Sequence, residues 1–317
     1  MNEIFQCKFG AHLYGLETPE SDTDIKGVFI PTREEIVLGR ALQHVQYSTG
    51  DNESKNTRSD IDYEMISLQY FCERLASGDH VAIDMIHTPK DRSEVTSEVW
   101  DYLRANRGKF YTKKMISAAI DYINQNASKY GLVGSRSHTL ANIYAELKSW
   151  MNSDPNATIG YLVESNSFGS AIVPDLTGNE VYIGSSRYPK NMKIRQIFPL
   201  IEVKYRQVCE RYIKAQNNEG INWKDVSHAM RYAHQMIEIL YTGDLKYPFT
   251  GIYKDTLMRV KLGQVSWKEC QCAIEELREC LQTALDTIDL PEEADQAWID
   301  HFVYCRYYRA IQPDFWS

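Results

Sequence analysis

Apolar and polar residues alternate along four short stretches of the first hundred residues, a period typical of β-strands. The predicted strands cover residues 4–9, 24–30, 44–49 and 60–66. Gly10 ends the first strand and Pro31 ends the second, and a polar loop over residues 50–59 separates the last two. Ser67 then has the position of a helix N-cap, so a helix is predicted over residues 68–77.

From about residue 108 the apolar period becomes that of a helix. Amphipathic helices are predicted over residues 110–130, 139–151, 196–217, 223–241, 267–287 and 292–311. Glycines and prolines make residues 155–190 an irregular or hairpin segment. The pattern as a whole predicts an α+β chain, with a small mixed β-sheet and flanking helices over residues 1–107 and a largely helical region over residues 108–317.

The composition of the 317 residues is that of a folded protein, with 43% hydrophobic and 25% charged residues. No apolar stretch approaches the roughly 20 residues that span a bilayer, so no membrane association is expected. The first seven residues lack a basic segment followed by an apolar one, so we expect no signal peptide. Seven cysteines, at spacings that fit no common zinc site, predict reduced thiols in a cytoplasmic protein.

The formal net charge is −8, which argues against a protein that coats nucleic acid indiscriminately. Positive charge is nevertheless concentrated in two segments. Residues 101–150 hold eight Lys and Arg against three acidic residues, and residues 181–214 hold eight against two. These segments are either solvated helix faces or surfaces that bind phosphate groups, and charge counts do not separate the two interpretations.

The candidate chemistry lies between the first two predicted strands. A turn at Gly10 and Ala11 is followed, after ten intervening residues, by Asp22 and Asp24 at the head of the second strand. Side chains two apart on a strand share a face, so the two carboxylates point the same way. Such a pair favours a hard divalent cation such as Mg²⁺, and a glycine turn before a short helix offers backbone N–H groups to phosphates.

A second acidic alternation occurs on the fourth predicted strand, at Asp60, Asp62 and Glu64. One of these three could complete a three-carboxylate site of the kind that holds two metal ions for displacement at phosphorus. The alternation alone does not choose among them.

The pattern Gly-(Ser/Ala)-x10-Asp-x-Asp, followed by a strand acid, resembles that of the DNA polymerase β superfamily of nucleotidyltransferases. The rest of the chain is similar to one group of that superfamily, the RNA-repair-pathway or RNA-ligase-associated nucleotidyltransferases of bacteria and large tailed phages. The similar segments are residues 62–71, 125–131, 228–243, 260–263 and 290–295. The likeness therefore extends over nearly the whole sequence.

This resemblance implies a nucleotidyltransferase catalytic core over residues 1–107 and a mainly helical substrate-binding region over residues 108–317. It implies that Asp22, Asp24 and Asp62 are catalytic and bind two Mg²⁺ or Mn²⁺ ions. The enzyme would transfer an NMP from an NTP to an acceptor hydroxyl, an RNA end, and release pyrophosphate. It would act in the cytoplasm of a bacterial or phage-infected cell.

Further binding residues are predicted in two sets. The residues predicted to bind the nucleotide are Gly10, Ala11, His12, Tyr14, Ser21 and Lys261. The residues predicted to bind acceptor or phosphate are Arg136, His228 and Arg231. Tyr14 could stack a base and Arg136 could clamp a phosphate. Helix packing explains His228 and Arg231 equally well, and a solvated lysine explains Lys261.

Ala11 departs from the resemblance, because the usual residue there is serine. A hydroxyl donor to the triphosphate is then absent, although the backbone N–H remains and His12 could substitute. Two alternatives to RNA modification stay open. One is nucleotidylation of a protein Tyr or Ser hydroxyl, and the other is a catalytically silent module that binds nucleotide or nucleic acid.

Overall fold

The computed structural model describes residues 2–19, 21–49, 60–132, 135–165, 172–174, 178–183 and 186–312, so the loop predicted over residues 50–59 lies outside the described residues. The chain forms two compact units. The first contains Met1–Asp121, Met230–Lys261 and Leu277–Ser317, and the second contains Tyr122–Ala229 and Leu262–Glu276. These units reflect packing. The division into a catalytic core at 1–107 and a substrate-binding region at 108–317 concerns function and stays a prediction.

The first unit contains a five-stranded mixed sheet in the order β3-β4-β2-β1-β5. Its strands are β1 (Asn2–Lys8), β2 (Thr23–Ile30), β3 (His44–Ser48), β4 (Ile61–Ser67) and β5 (Ser93–Thr96). Strands β2 and β4 are parallel, and the other neighbours are antiparallel. All four predicted strands are present, and the short edge strand β5 is additional.

Helices pack on the apolar side chains of this sheet. Those within the first unit are α1 (Ala11–Tyr14), α2 (Arg33–Val37), α3 (Leu68–Ala76), α4 (His80–His87), α5 (Glu98–Ala105), α12 (Gly251–Lys261) and α14 (Gln296–Ile311). The predicted cap is confirmed, because Ser67 Oγ accepts the N–H of Tyr70 at 3.3 Å. In the core, the ring of Phe5 on β1 stacks on Trp100 of α5 at 4.0 Å, and Phe71 of α3 lies 5.0 Å from Trp100.

The second unit packs helices around a small antiparallel sheet. Its elements are α7 (Arg136–Ser153), α8 (Ile159–Glu164), β6 (Ile172–Pro174), β7 (Glu180–Ile183), β8 (Ser186–Pro189), α9 (Ile194–Val208) and α10 (Glu210–Gln216). Leu147, Ile159 and Ile197 are fully buried in its core. The single helix predicted over 196–217 is in fact two, α9 and α10, because the helix stops at the buried Cys209, whose thiol donates to the carbonyl of Ser137.

The remaining helices are α6 (Lys113–Ala127), α11 (Trp223–Thr242) and α13 (Trp267–Thr287), and single 3₁₀ turns lie at Lys90–Arg92, Arg107–Phe110 and Ser128–Tyr130. The α+β fold class is confirmed: a mixed sheet lies in the N-terminal region and helices dominate the C-terminal region. Within the described ranges, every helix is too short or too polar to cross a membrane.

Candidate active site

The parallel pairing of β2 with β4 brings the predicted acids together. Asp24 on β2 is directly in register with Asp62 on β4, and Asp22 immediately precedes β2. One carboxylate oxygen from each of the three residues lies within 4.8 Å of the other two, and all three residues are half-buried. Like charges this close repel one another unless a cation neutralises them. The donor set therefore fits hard divalent ions such as Mg²⁺ or Mn²⁺.

The register also separates Asp62 from the two other candidate acids. Glu64 is opposite Lys26 and forms an ion pair with it, and its other oxygen lies 3.1 Å from His44 and 3.4 Å from Arg74. Burial alone would raise the pKa of Glu64, but the hydrogen bond and the charge of Lys26, with those of Arg74 and His44, lower it. Asp60 precedes β4, and its carbonyl accepts the N–H of Thr23 at 3.1 Å. Asp62 is thus the acid that joins Asp22 and Asp24.

Gly10 lies directly against this acidic group. Its φ of +60° is in the left-handed region, and a Cβ there would lie 2.6 Å from Oδ2 of Asp24. Phe9, which precedes it, donates its N–H to the carbonyl of Asp24 at 2.8 Å. Ala11 begins α1 immediately afterwards. The predicted turn and the carboxylate pair therefore form one continuous surface of the first unit.

His12 and Ser21 lie beside the same turn. The ring Nε2–H of His12 donates to the carbonyl of Asp22 at 3.1 Å. Ser21 Oγ accepts the N–H of Thr18 at 2.9 Å, so it closes a turn of the loop before β2. His12 and Ser21 both line a cavity of about 460 Å³ with Glu17 and Thr23. The cavity therefore adjoins the loop that carries Asp22.

Lys261, at the end of α12, reaches the same loop. Its ammonium group donates to the carbonyl of Leu16 at 2.9 Å. The half-buried Lys261 thus supplies positive charge two residues beyond the C-terminal end of α1.

Tyr14 and Arg231 lie in the core rather than on a binding surface. They are only 5% and 3% exposed, and both contact the carboxylate of the fully buried Asp84. Burial, with the negative charge of Asp84, raises the pKa of Tyr14 well above its usual value, so the hydroxyl keeps its proton. The face of the Tyr14 ring packs under the Arg231 guanidinium at 4.2 Å. The structure therefore leaves Tyr14 no open face for a base, and it pairs Arg231 with Asp84 rather than with a phosphate.

Comparison with known proteins identifies the family. The RNA repair pathway DNA polymerase beta family (RlaP) matches residues 1–149. An uncharacterized 38.9 kDa protein from the nrdC–mobD intergenic region of Enterobacteria phage T4 is 31% identical over 327 aligned residues, which cover 96% of each chain. The chain belongs to the RlaP family. No solved structure matches it.

Membership of the RlaP family confirms the resemblance inferred from the sequence and supports the general class of polymerase β-like nucleotidyltransferases. The acidic group, Gly10 and α1 all lie in the matched part of the chain.

Two of the predicted RlaP binding residues belong to the second unit. Arg136 is the exposed first residue of α7, where Ser135 Oγ caps the helix by accepting the N–H of His138. Arg136 therefore lies at the start of a helix. His228 is half-buried on α11. The roles of both residues stay predictions.

Sequence reasoning missed Asp84, which the structure links to two predicted residues. It lies in the apolar run of residues 81–86, Val-Ala-Ile-Asp-Met-Ile. A single acid within such a run is a usable signal, because a buried carboxylate must be paired and hydrogen-bonded.

Proposed function

We propose that this RlaP-family chain is a metal-dependent nucleotidyltransferase that moves an NMP from an NTP to the hydroxyl of an RNA end. The acceptor oxygen forms a bond to the α-phosphorus, the bond from that phosphorus to the β-bridging oxygen breaks, and pyrophosphate leaves. The main support is the convergence of Asp22, Asp24 and Asp62 beside the turn at Gly10.

Each acid has a distinct proposed role. Asp22 and Asp24 would hold both divalent ions, and Asp62 would hold one of them and receive the proton of the acceptor hydroxyl. When bound, the ions supply Lewis-acid stabilisation of the charge on the phosphoryl and pyrophosphate oxygens. The chain itself orients the triphosphate through the backbone at Gly10 and Ala11, with His12, Ser21 and Lys261 lining the approach.

The test is transfer of label from each α-labelled NTP, with Mg²⁺ or Mn²⁺, to a panel of RNA, DNA and protein acceptors. We expect each of three substitutions, Asp22→Asn, Asp24→Asn and Asp62→Asn, to lower transfer by about 100-fold or more. Each substitution would remove a negatively charged ligand from the divalent ions that act on the reacting phosphate. Asp60→Asn is the matched control, because Asp60 lies outside the acidic group. Transfer that survives in Asp22→Asn would refute the mechanism.

Support for an RNA acceptor comes from the charge of the second unit. Residues 181–214 hold eight Lys and Arg against two acidic residues, and Arg187 among them is exposed. Such an excess of positive charge suits the phosphate backbone of a nucleic acid. Label on a protein acceptor in the same assay would instead support nucleotidylation of Tyr or Ser.

A second candidate, a silent nucleotide-binding module, is favoured by one observation, the alanine at position 11. Titration calorimetry with non-hydrolysable NTPs, with and without Mg²⁺, separates the two candidates when combined with the transfer assay. Binding in the absence of transfer to every acceptor would favour the silent module.

A further inference from the structure

The carboxylate of Asp84 is the centre of a buried polar cluster in the first unit. Asp84 lies on α4 and is 0% exposed. Its Oδ2 accepts from the hydroxyl of Tyr14 at 2.5 Å and from Arg231 at 2.8 Å. Its Oδ1 accepts from Gln235 at 2.8 Å and from the hydroxyl of Tyr247 at 2.7 Å. A buried charge with four well-placed donors restricts the position of each of them, since moving any one away weakens the pairing of a carboxylate that water does not reach.

Tyr14 is the donor in this cluster that belongs to α1. Its ring packs against the guanidinium of Arg231, at 4.2 Å, and against the ring of Phe249, which stacks at 5.6 Å with an interplanar angle of 7°. The carbonyl of Tyr14 also accepts the N–H of Phe249 at 3.0 Å. A helix of four residues cannot hold its own place in water, because so short a helix pays the full cost of nucleation. The contacts of Tyr14 therefore help to hold α1 in place, together with the buried side chain of Leu13 and the bond from Arg92 to the carbonyl of His12.

The other end of α1 meets the acidic group. Gly10, which precedes the helix, approaches the carboxylate of Asp24 so closely that a Cβ would collide with it. His12 donates to the carbonyl of Asp22 at 3.1 Å. A shift of α1 would therefore displace both Asp24 and the loop that holds Asp22.

We propose that Asp84 is a positioning residue: through Tyr14 it sets the place of α1 against Asp22 and Asp24, and so controls how well the acidic group binds divalent cations and NTP. The ligands named in this inference rest on the function proposed above. Asp84 itself touches neither ligand. The alternative is that the cluster only stabilises the core, and two matched variants distinguish these roles.

Tyr14→Phe and Tyr247→Phe each remove one hydroxyl donor from Asp84 and leave the ring in place. The two tyrosines are similarly buried, at 5% and 8% exposure. The hydroxyl of Tyr247 also accepts from Gln235 at 2.7 Å, so a purely structural cluster predicts that Tyr247→Phe affects every property at least as much as Tyr14→Phe does. A positioning role predicts that Tyr14→Phe has the larger effect on ligands, because only Tyr14 is part of α1.

Mn²⁺ affinity is measured by electron paramagnetic resonance, and the KM for NTP and kcat are measured separately. Tyr14→Phe should weaken Mn²⁺ binding and raise the KM for NTP by about 3- to 10-fold, the effect of losing one net hydrogen bond. Tyr247→Phe should leave both near the wild-type values. Equal effects of the two substitutions, or no effect of either, would overturn the proposal.

Hydrogen exchange in the wild-type chain tests the same idea without a substitution, should Tyr14→Phe fail to fold. The amides of Tyr14 and Leu16 donate within the turn, to Gly10 and Ala11. If Asp84 anchors α1, both should exchange as slowly as core amides. Exchange as fast as that of the exposed short helix α2 would overturn the proposal.

The measurements also separate this inference from the proposed function. Mn²⁺ binding requires no transfer, so a wild-type chain that binds Mn²⁺ but transfers no NMP would refute the function and leave the positioning test in force. A chain that transfers NMP while the two tyrosine variants behave alike would refute only the inference. Absence of Mn²⁺ binding at the acids, judged against Asp24→Asn, would refute both.

Discussion

The position of Gly10 imposes two requirements that only glycine meets. Its positive φ disfavours any residue with a Cβ, at a cost of about 1–2 kcal/mol. It also leaves the space that Oδ2 of Asp24 occupies. Gly39 has nearly the same φ, +62°, but no heavy atom within 4 Å of its would-be Cβ. Both glycines therefore have a positive φ, and of the two only Gly10 is also crowded by the acidic group.

We expect Gly39→Ala to lower the free energy of unfolding by about 1 kcal/mol, the cost of backbone strain alone. Gly10→Ala should cost at least about 1 kcal/mol more and should also weaken Mn²⁺ binding, because Asp24 must move. Urea unfolding and Mn²⁺ titration of both variants measure these effects. If the two substitutions lower the free energy of unfolding equally and Mn²⁺ affinity does not change, the close approach of Gly10 to Asp24 does not contribute to metal binding.

At the scale of single residues, the sequence predicts which acids lie close together better than it predicts which side chains are buried. Two-residue alternation and strand pairing were enough to bring Asp22, Asp24 and a fourth-strand acid together. The choice of Asp62 needed either the resemblance or the register, because the register pairs Glu64 with Lys26. Tyr14 was predicted as a stacking surface from its place near the glycine turn. Its burial depends on Phe249 and Arg231, which are more than two hundred residues away and leave no local signal.

Among the secondary-structure elements that the apolar period did not reveal, α4 has the largest share of buried residues. Six of its eight residues, Ala82 to His87, are buried, so it lacks the polar face that makes a helix recognisable. Asp79 caps it by accepting the N–H of Ala82 at 2.9 Å. Glycine followed by such a capping residue, at 78 and 79, is the local signal that could have placed its start.

His87, at the end of α4, makes the stability of this element depend on pH. The Nδ1–H donates to the carbonyl of Ile83 at 2.8 Å, and Nε2 lies 2.8 Å from the hydroxyl of Tyr111. Burial lowers the pKa of His87 from 6.5 to about 4. Between these values the unfolded chain binds a proton that the folded chain does not. Stability from this residue is therefore complete above about pH 6.5 and is lost as the pH falls towards 4.

We expect His87 to reduce the free energy of unfolding by about 3 kcal/mol between pH 7 and pH 4. Burial also lowers the pKa of His234 and of His80, so the total acid sensitivity includes other residues. Urea unfolding of His87→Asn over the same pH range isolates the share of His87. The quantity to compare is the slope of the free energy of unfolding against pH in the wild type and in the variant. Identical slopes would contradict the role of His87 in acid sensitivity.

Over the whole molecule, the grouping of helices was the feature least accessible to sequence reasoning. Helical periods predicted α11 and α13 well, but α12 (Gly251–Lys261) was not predicted. The helical period also does not reveal that two later segments, Met230–Lys261 and Leu277–Ser317, pack in the first unit, which contains the five-stranded sheet. Such grouping depends on contacts between distant parts of the chain, for example the ion pair of Arg231 with Asp84. Local patterns record which face of a helix is apolar, not which partner covers it.

The uneven charge of the molecule gives the last prediction. The chain has a net charge of −8, yet residues 181–214 hold eight cations against two acids. If this part of the second unit binds the RNA backbone at three to six phosphates, log K should fall with log salt at a slope of about −2 to −4.

Arg187 is an exposed cation of this segment, and Arg187→Ala should reduce that slope by about 0.7, one phosphate contact on a single strand. Lys90→Ala is the control, since Lys90 is an exposed cation of the first unit and pairs with Asp101. Fluorescence anisotropy with a labelled RNA at several salt concentrations gives both slopes. A flat salt response of the wild type would favour a small or protein acceptor, because such acceptors release few counterions. Equal slopes for the two variants would instead place the RNA elsewhere on the molecule.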